Sequence, residues 1–167
     1  DKDDKNSFLN KLDQVSAQVN GFSDMDFASF SINCIKNDLD KVWPLYTDAL
    51  LLPRFDAKEF ARIKQDAINF IRTNESFPDN AIDKMAKETA FAGKNYAKTP
   101  MGTLASVEPI TPAEAKKYWQ SLLTRSRMVI VVVADLDKKE IEKKVNELLA
   151  KIPAGKSFVA KKETYNP

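Results

Sequence analysis

The 167-residue chain carries 26 basic and 24 acidic side chains, a formal charge of +2, one cysteine and no histidine. Without imidazole it cannot build a Ser-His-Asp or Cys-His nucleophile system or a His-ligated zinc site, and a lone cysteine forms neither an internal disulfide nor a thiolate metal cluster. The charges are interleaved, as in Asp137-Lys138-Lys139-Glu140, which describes a solvated helix face and excludes a nucleic-acid footprint.

The length suits one domain with a buried core. We expect that domain over residues 7–153, with a disordered or linker stretch at 1–6 and a tail or linker at 154–167. A first helix is expected over residues 7–17, capped by Ser7, with Phe8, Leu12 and Val15 along one stripe. From Ala28 the pattern alternates: Ala28, Phe30, Ile32 and Cys34 face one way, Ser29, Ser31 and Asn33 the other. That is a half-buried strand, paired in a hairpin with residues 18–22 across a polar turn at Ser23-Asp24.

Asp38 precedes an apolar helix through Leu39, Val42, Tyr46, Ala49 and Leu50, in which Pro44 should introduce a kink or delay. Asp56 and Glu59 have capping-box spacing ahead of Phe60, Ile63, Ala67, Ile68 and Ile71, a long helix ending near Asn74. Pro78-Asp79 opens a fourth helix with Ala81, Ile82, Met85 and Ala86 inward, closed near Gly93. Thr111-Pro112-Ala113-Glu114 is a strong helix start, with Tyr118, Trp119 and Leu122 expected inside. Residues 128–133, Met-Val-Ile-Val-Val-Val, lack alternation and read as an interior strand covered on both faces. Asp137 and Glu140 start a last helix bearing Ile141, Val145, Leu148 and Leu149. The order predicts an α+β fold, a mostly antiparallel sheet with helices packed on one face. No apolar run approaches the roughly 20 residues that span a bilayer, so no membrane span is expected.

Four segments in order resemble the insulinase/pitrilysin family of zinc metallopeptidases, the inverzincins. They are Ala17-Gln18-Val19-Asn20-Gly21-Phe22-Ser23 with Asp26; Leu52-Pro53-Arg54-Phe55-Asp56 with Glu59-Phe60 and Ile63-Lys64; Pro78 and Ala81 with Tyr96 and Pro100-Met101-Gly102-Thr103; and Ile110-Thr111-Pro112 with Tyr118 and the apolar run 128–133. The resemblance implies a metallopeptidase-like domain incomplete at its N-terminus. In the family an H-x-x-E-H helix supplies two histidines and a glutamate base, and a later glutamate completes the zinc site. H-x-x-E-H is missing here, and its surroundings would begin before Asp1. Aligning Asp66-Ala67-Ile68-Asn69-Phe70-Ile71 with the family helix puts Phe70 at the third-ligand position, while a slip of the alignment would offer Asp66 or Glu75 instead.

The resemblance therefore implies no metal ligand and no catalytic residue in this chain, with zinc belonging to the intact protein or a partner. Catalytic members pair with a similar, metal-free repeat, and together they enclose a chamber for polypeptides. This chain looks like that second repeat, inactive alone, whose partner is a catalytic H-x-x-E-H domain or subunit and whose substrate is peptide. Asn20, Gly21, Phe22 and Ser23 match the family's edge strand that binds extended substrate, or form an ordinary hairpin edge. Tyr96 is a chamber-wall residue or a loop anchor. Phe70, Ile63 and Ile71 are expected in the helix core, with Trp43, Tyr118 and Trp119 as core aromatics and Cys34 a buried, inert thiol. A truncated catalytic half and a purely structural subunit are the alternatives. One cysteine leaves the compartment open, with a lean toward the bacterial periplasm or another extracytoplasmic space.

Overall fold

In the computed structural model residues 4–156 are described; parts of the expected linker and tail, at 1–3 and 157–167, lie outside the described residues. Caps written in the sequence set most helix starts. Helix α1 (Lys5–Asp13) begins earlier than expected because the Asp4 carboxylate, not the Ser7 hydroxyl, caps it by accepting from the Ser7 N–H at 2.8 Å. Strands β1 (Gln18–Ser23) and β2 (Ala28–Asn33) follow. A short 3₁₀ turn, Lys36–Asp38, leads into α2 (Leu39–Leu51), which continues through Pro44. The proline is the sixth residue of the helix, where it removes one main-chain donor, and one turn on the Thr47 hydroxyl donates to its carbonyl at 3.0 Å.

Asp56 caps α3 (Ala57–Glu75), accepting from the Lys58 and Glu59 N–H groups at 3.0 Å each. The expected box is only half built. The Glu59 carboxylate instead accepts from Lys5 at 2.9 Å and from Arg62 at 3.3 Å. Helix α4 (Pro78–Ala90) has proline in its first turn, and the short α5 (Leu104–Val107) is capped by Thr103. In α6 (Pro112–Leu122) the box is complete: Thr111 N–H donates to Glu114 at 2.8 Å and Glu114 N–H to the Thr111 hydroxyl at 3.2 Å. Asp137 caps the last helix, α7 (Lys138–Ala150).

The chain divides into two compact units, residues 1–116 and 117–167. In the first, β1 and β2 pair antiparallel from Gln18↔Asn33 to Ser23↔Ala28, so the predicted hairpin forms. Phe30, Ile32 and Cys34 are half-buried while Ser29, Ser31 and Asn33 are exposed, matching the alternation; Ala28, at the strand's start, is exposed. The buried face packs on Leu12, Ala17 and Val42, with Phe8, Val15, Val19 and Leu45 around them. Across this face Tyr46 stacks on Phe30 at 5.2 Å and donates to the Phe30 carbonyl at 3.0 Å, with Trp43 5.7 Å from Tyr46. The result is α+β, an antiparallel sheet with helices on one face, as expected. Helix α3 packs on α4 and α5, and Lys64 ties the α5 end by donating to the Glu108 and Ile110 carbonyls.

In the second unit Leu148 and Ile152 are buried. Residues 153–156 run beside 125–126: Arg125 N–H donates to the Pro153 carbonyl at 2.9 Å, and Ser126 N–H to that of Ala154 at 3.0 Å. Gly155 has φ +73° and an added Cβ would lie 2.6 Å from Thr124 Cβ, so only glycine fits there.

Several expectations of burial fail. Residues 128–133 are not an interior strand: they join no sheet among the described residues, and Val129, Val131 and Val133 are 87%, 79% and 94% exposed. The apolar run is intact, but covering layers are absent from the described residues. Every residue from Ala81 to Ala90 is exposed, so the expected inner face of α4 faces water. Ile63 and Phe70 are exposed, whereas Ile68 and Ile71 are buried: the buried stripe of α3 is narrower than its apolar one. Tyr118 is exposed, while Trp43, Trp119 and Leu122 are half-buried.

Candidate functional site

The candidate substrate edge begins with β1. Asn20, Gly21, Phe22 and Ser23 all lie in this strand, all are exposed, and among the described residues β1 pairs only with β2. Its outer edge thus offers main-chain N–H and C=O groups for one further strand. Gly21 opposes Phe30, and a Cβ added at Gly21 would meet that ring at an ordinary 3.7 Å. Gly21 is therefore no steric necessity of the hairpin.

The turn that follows β1 is braced. Phe22 contacts Phe27 at 5.9 Å, and the Tyr96 hydroxyl donates into the Asp26 carboxylate, 2.8 Å from both oxygens. Phe91 lies 5.9 Å from the Tyr96 ring. Tyr96 thus anchors the 3₁₀ turn Asn95–Ala97 to the hairpin loop, which is the loop-anchor alternative. No local spacing could have disclosed the pair, since Asp26 and Tyr96 are 70 residues apart.

On α3 the residues that could replace the family's third ligand are otherwise engaged. Asp66 accepts from Arg62 at 2.7 Å, and Glu75 pairs with Lys84 at 3.4 Å. Among the described residues no three His, Cys, Asp or Glu side chains gather into a metal-holding group. Phe70 has no donor atom, and the chain has no imidazole. These residues do not fit zinc. Cys34 is half-buried against the Leu12–Ala17–Val42 core; burial, then the Asp38 carboxylate, pushes its thiol above the usual range. It is thus less available as thiolate, unlike a nucleophile.

The model of the insulinase family (peptidase family M16) matches residues 1–104, and that of the peptidase M16 inactive domain matches residues 109–167. The chain belongs to the insulinase family. A Helicobacter pylori protein described as a non-peptidase homolog, YmxG, is 21% identical over 90% of this chain and 35% of its own length. The probable zinc protease PqqL of Escherichia coli is 31% identical over 64 residues, 38% of this chain and 7% of PqqL. The structure of an M16 inactive domain from Pseudomonas fluorescens superposes with a TM-score of 0.90 at 20% identity, over 99% of this chain and 41% of that one. The first half of PqqL, described as a periplasmic protease, gives 0.75 at 18% identity, over 96% of this chain and 36% of that structure. The M16 chain described here thus spans about a third of the length of the H. pylori relative. Among its described residues no helix is long and apolar enough to cross a membrane.

Proposed function

We propose that this chain is the metal-free half of an M16 peptidase, which closes a chamber against a catalytic half carrying H-x-x-E-H and zinc, and holds extended peptide along β1. The observation that carries the reading is the pairing of an M16 fold with an exposed, singly paired β1 edge at Asn20, Gly21, Phe22 and Ser23 and a donor set that cannot bind zinc. Strand addition recognises backbone, so it suits unfolded polypeptides of varied sequence. Its affinity is weak for the isolated half, because a few main-chain bonds must offset the ordering of a flexible peptide. The periplasmic description of PqqL favours an extracytoplasmic compartment.

The test combines this chain with its cognate H-x-x-E-H partner and follows cleavage of an unstructured peptide. We expect activity only with both present, and a higher KM when Gly21→Pro blocks one main-chain donor of the outer edge: Asp24 N–H bonds to the Phe27 carbonyl, so by alternation Phe22 faces β2 and Gly21 faces away from it. Full activity from the partner alone would favour the second reading, a structural subunit, which rests on the non-peptidase description of a relative matching 90% of this chain.

A further inference from the structure

In β1 the main-chain groups of Gly21 and Ser23 point away from β2, by the same alternation that turns Asn20 and Phe22 toward it. These outward groups lie in the half of the strand nearest the turn, and that half puts no side chain into the core. Asn20 to Ser23 are all exposed, and Val19 is the last residue of β1 that is half-buried. A two-stranded ribbon is marginal by itself in water, so the free end of the hairpin needs a hold besides packing of its own strand. On β2 the stack of Phe30 on Tyr46 supplies one. The Tyr96 hydroxyl supplies another, donating into the Asp26 carboxylate at the crown of the turn, 2.8 Å from both oxygens. Tyr96 in turn lies against Phe91 at the end of α4, and α4 packs on α3. The turn next to Ser23 is thereby tied to the α3–α4 pair.

We propose that Tyr96 and Asp26 are positioning residues for peptide capture: their hydrogen bond holds the Gly21–Ser23 edge extended and ready to pair before a peptide arrives. This role rests on the reading of β1 as the peptide-binding edge and adds what keeps that edge competent. Strand addition needs a straight edge, so an edge that is extended for only part of the time binds with an affinity reduced by that fraction. Fixing it beforehand removes an ordering cost from the binding step. The bond suits this task better than that of holding the fold together. Tyr96 is 49% exposed and Asp26 is exposed, where water competes for both groups and little global stability is gained. A tyrosine O–H donating into a carboxylate is nevertheless charge-assisted and directional. Both side chains lie beyond the strand, in the turn and in the 3₁₀ segment Asn95–Ala97, so they act on the edge through the backbone of the turn.

The experiment measures kcat and KM for an unstructured peptide with this chain and its cognate H-x-x-E-H partner combined. Tyr96→Phe keeps the ring on Phe91 and removes the donor, and Asp26→Ala removes the acceptor from the other side. Each should raise KM about fivefold, the effect of lowering the competent fraction to about a fifth, with kcat and melting temperature unchanged. The double variant should be no worse than either single one, because both act through one bond. Asp26→Asn, which keeps an acceptor oxygen, should recover most of the affinity. In the chain alone, amide exchange at Phe22 should quicken in Tyr96→Phe while that at Val42 in α2 does not. Gly21→Pro separates this role from the reading beneath it. If Gly21→Pro raises KM and Tyr96→Phe does not, the edge reading stands and the positioning role is overturned. If neither raises KM, the edge reading fails and the positioning role with it. Additive losses in the double variant, unchanged exchange at Phe22, or a melting temperature that falls in step with the rise in KM would each overturn the positioning role alone.

Discussion

At the scale of single residues, burial separates side chains that the sequence places in one class. Leu12 and Phe70 are both large apolar residues on amphipathic helices, yet Leu12 is 4% exposed and Phe70 is 53% exposed. Leu12→Ala should therefore destabilise by about 2–5 kcal/mol, the range for truncating a buried leucine. Phe70→Ala should cost under about 1 kcal/mol, since it removes contacts on one side only and leaves no cavity. Urea midpoints of the two variants check both values. A Phe70→Ala loss as large as that of Leu12→Ala would mean that the ring is covered. Gly155 is the backbone counterpart: at φ +73° with Thr124 and Ser126 against its Cα, Gly155→Ala should destabilise by more than about 1 kcal/mol, and the same denaturation series reads it.

Elements are held by charged caps, and these give the chain its acid sensitivity. Two N–H groups of α3, Glu59 first and Lys58 second, hold the Asp56 carboxyl below its ordinary range. The Thr111 hydroxyl and then its N–H do the same for Glu114 at the head of α6. A carboxyl whose folded pKa is depressed contributes fully above its unfolded value, about 4, and loses that contribution as pH falls through the folded value. Stability from these two caps should be flat from pH 5 to 8 and decline below about pH 4. Asp56→Asn keeps an acceptor but no titrating charge, so its denaturation midpoint should fall less steeply with acid than the parent's. Identical acid limbs would show that Asp56 contributes nothing to the dependence. Such caps, with the alternation of β2 and the proline starts of α4 and α6, are local, so helices and hairpin were legible in the sequence. The Glu59 side chain was not, because its partner Lys5 lies 54 residues away. Nor was the exposure of 128–133 and of α4: an apolar pattern reports what a segment requires, not whether another segment supplies it. The candidate edge was legible for the same local reason, as alternation and a polar turn place Asn20 to Ser23 in a strand. The Asp26–Tyr96 brace was not.

For the molecule as a whole, the decisive chemistry lies in the donor set, which no arrangement of the chain can alter. Zero histidines and one cysteine leave carboxylates as the main available ligands, and carboxylates alone favour hard cations over zinc. Helix α3 has spent its candidates on ion pairs, Asp66 with Arg62 and Glu75 with Lys84. These exposed pairs add little stability, but a metal would have to displace a cation from each. Linkage makes the expectation quantitative. A folded-state site with a Kd of about 1 μM, at about 100 μM free zinc, would stabilise the fold by about 2.7 kcal/mol. We expect no such rise in the denaturation midpoint on adding zinc to the metal-free chain, and none for Phe70→Glu, since one carboxylate at the third-ligand position cannot replace two imidazoles. The same variant tests the origin of any zinc effect. If zinc stabilised the parent, the proposal that this M16 chain is a metal-free half would fail at its chemical root; if it stabilised Phe70→Glu alone, the metal would be bound at α3 and the need for two imidazoles would be refuted.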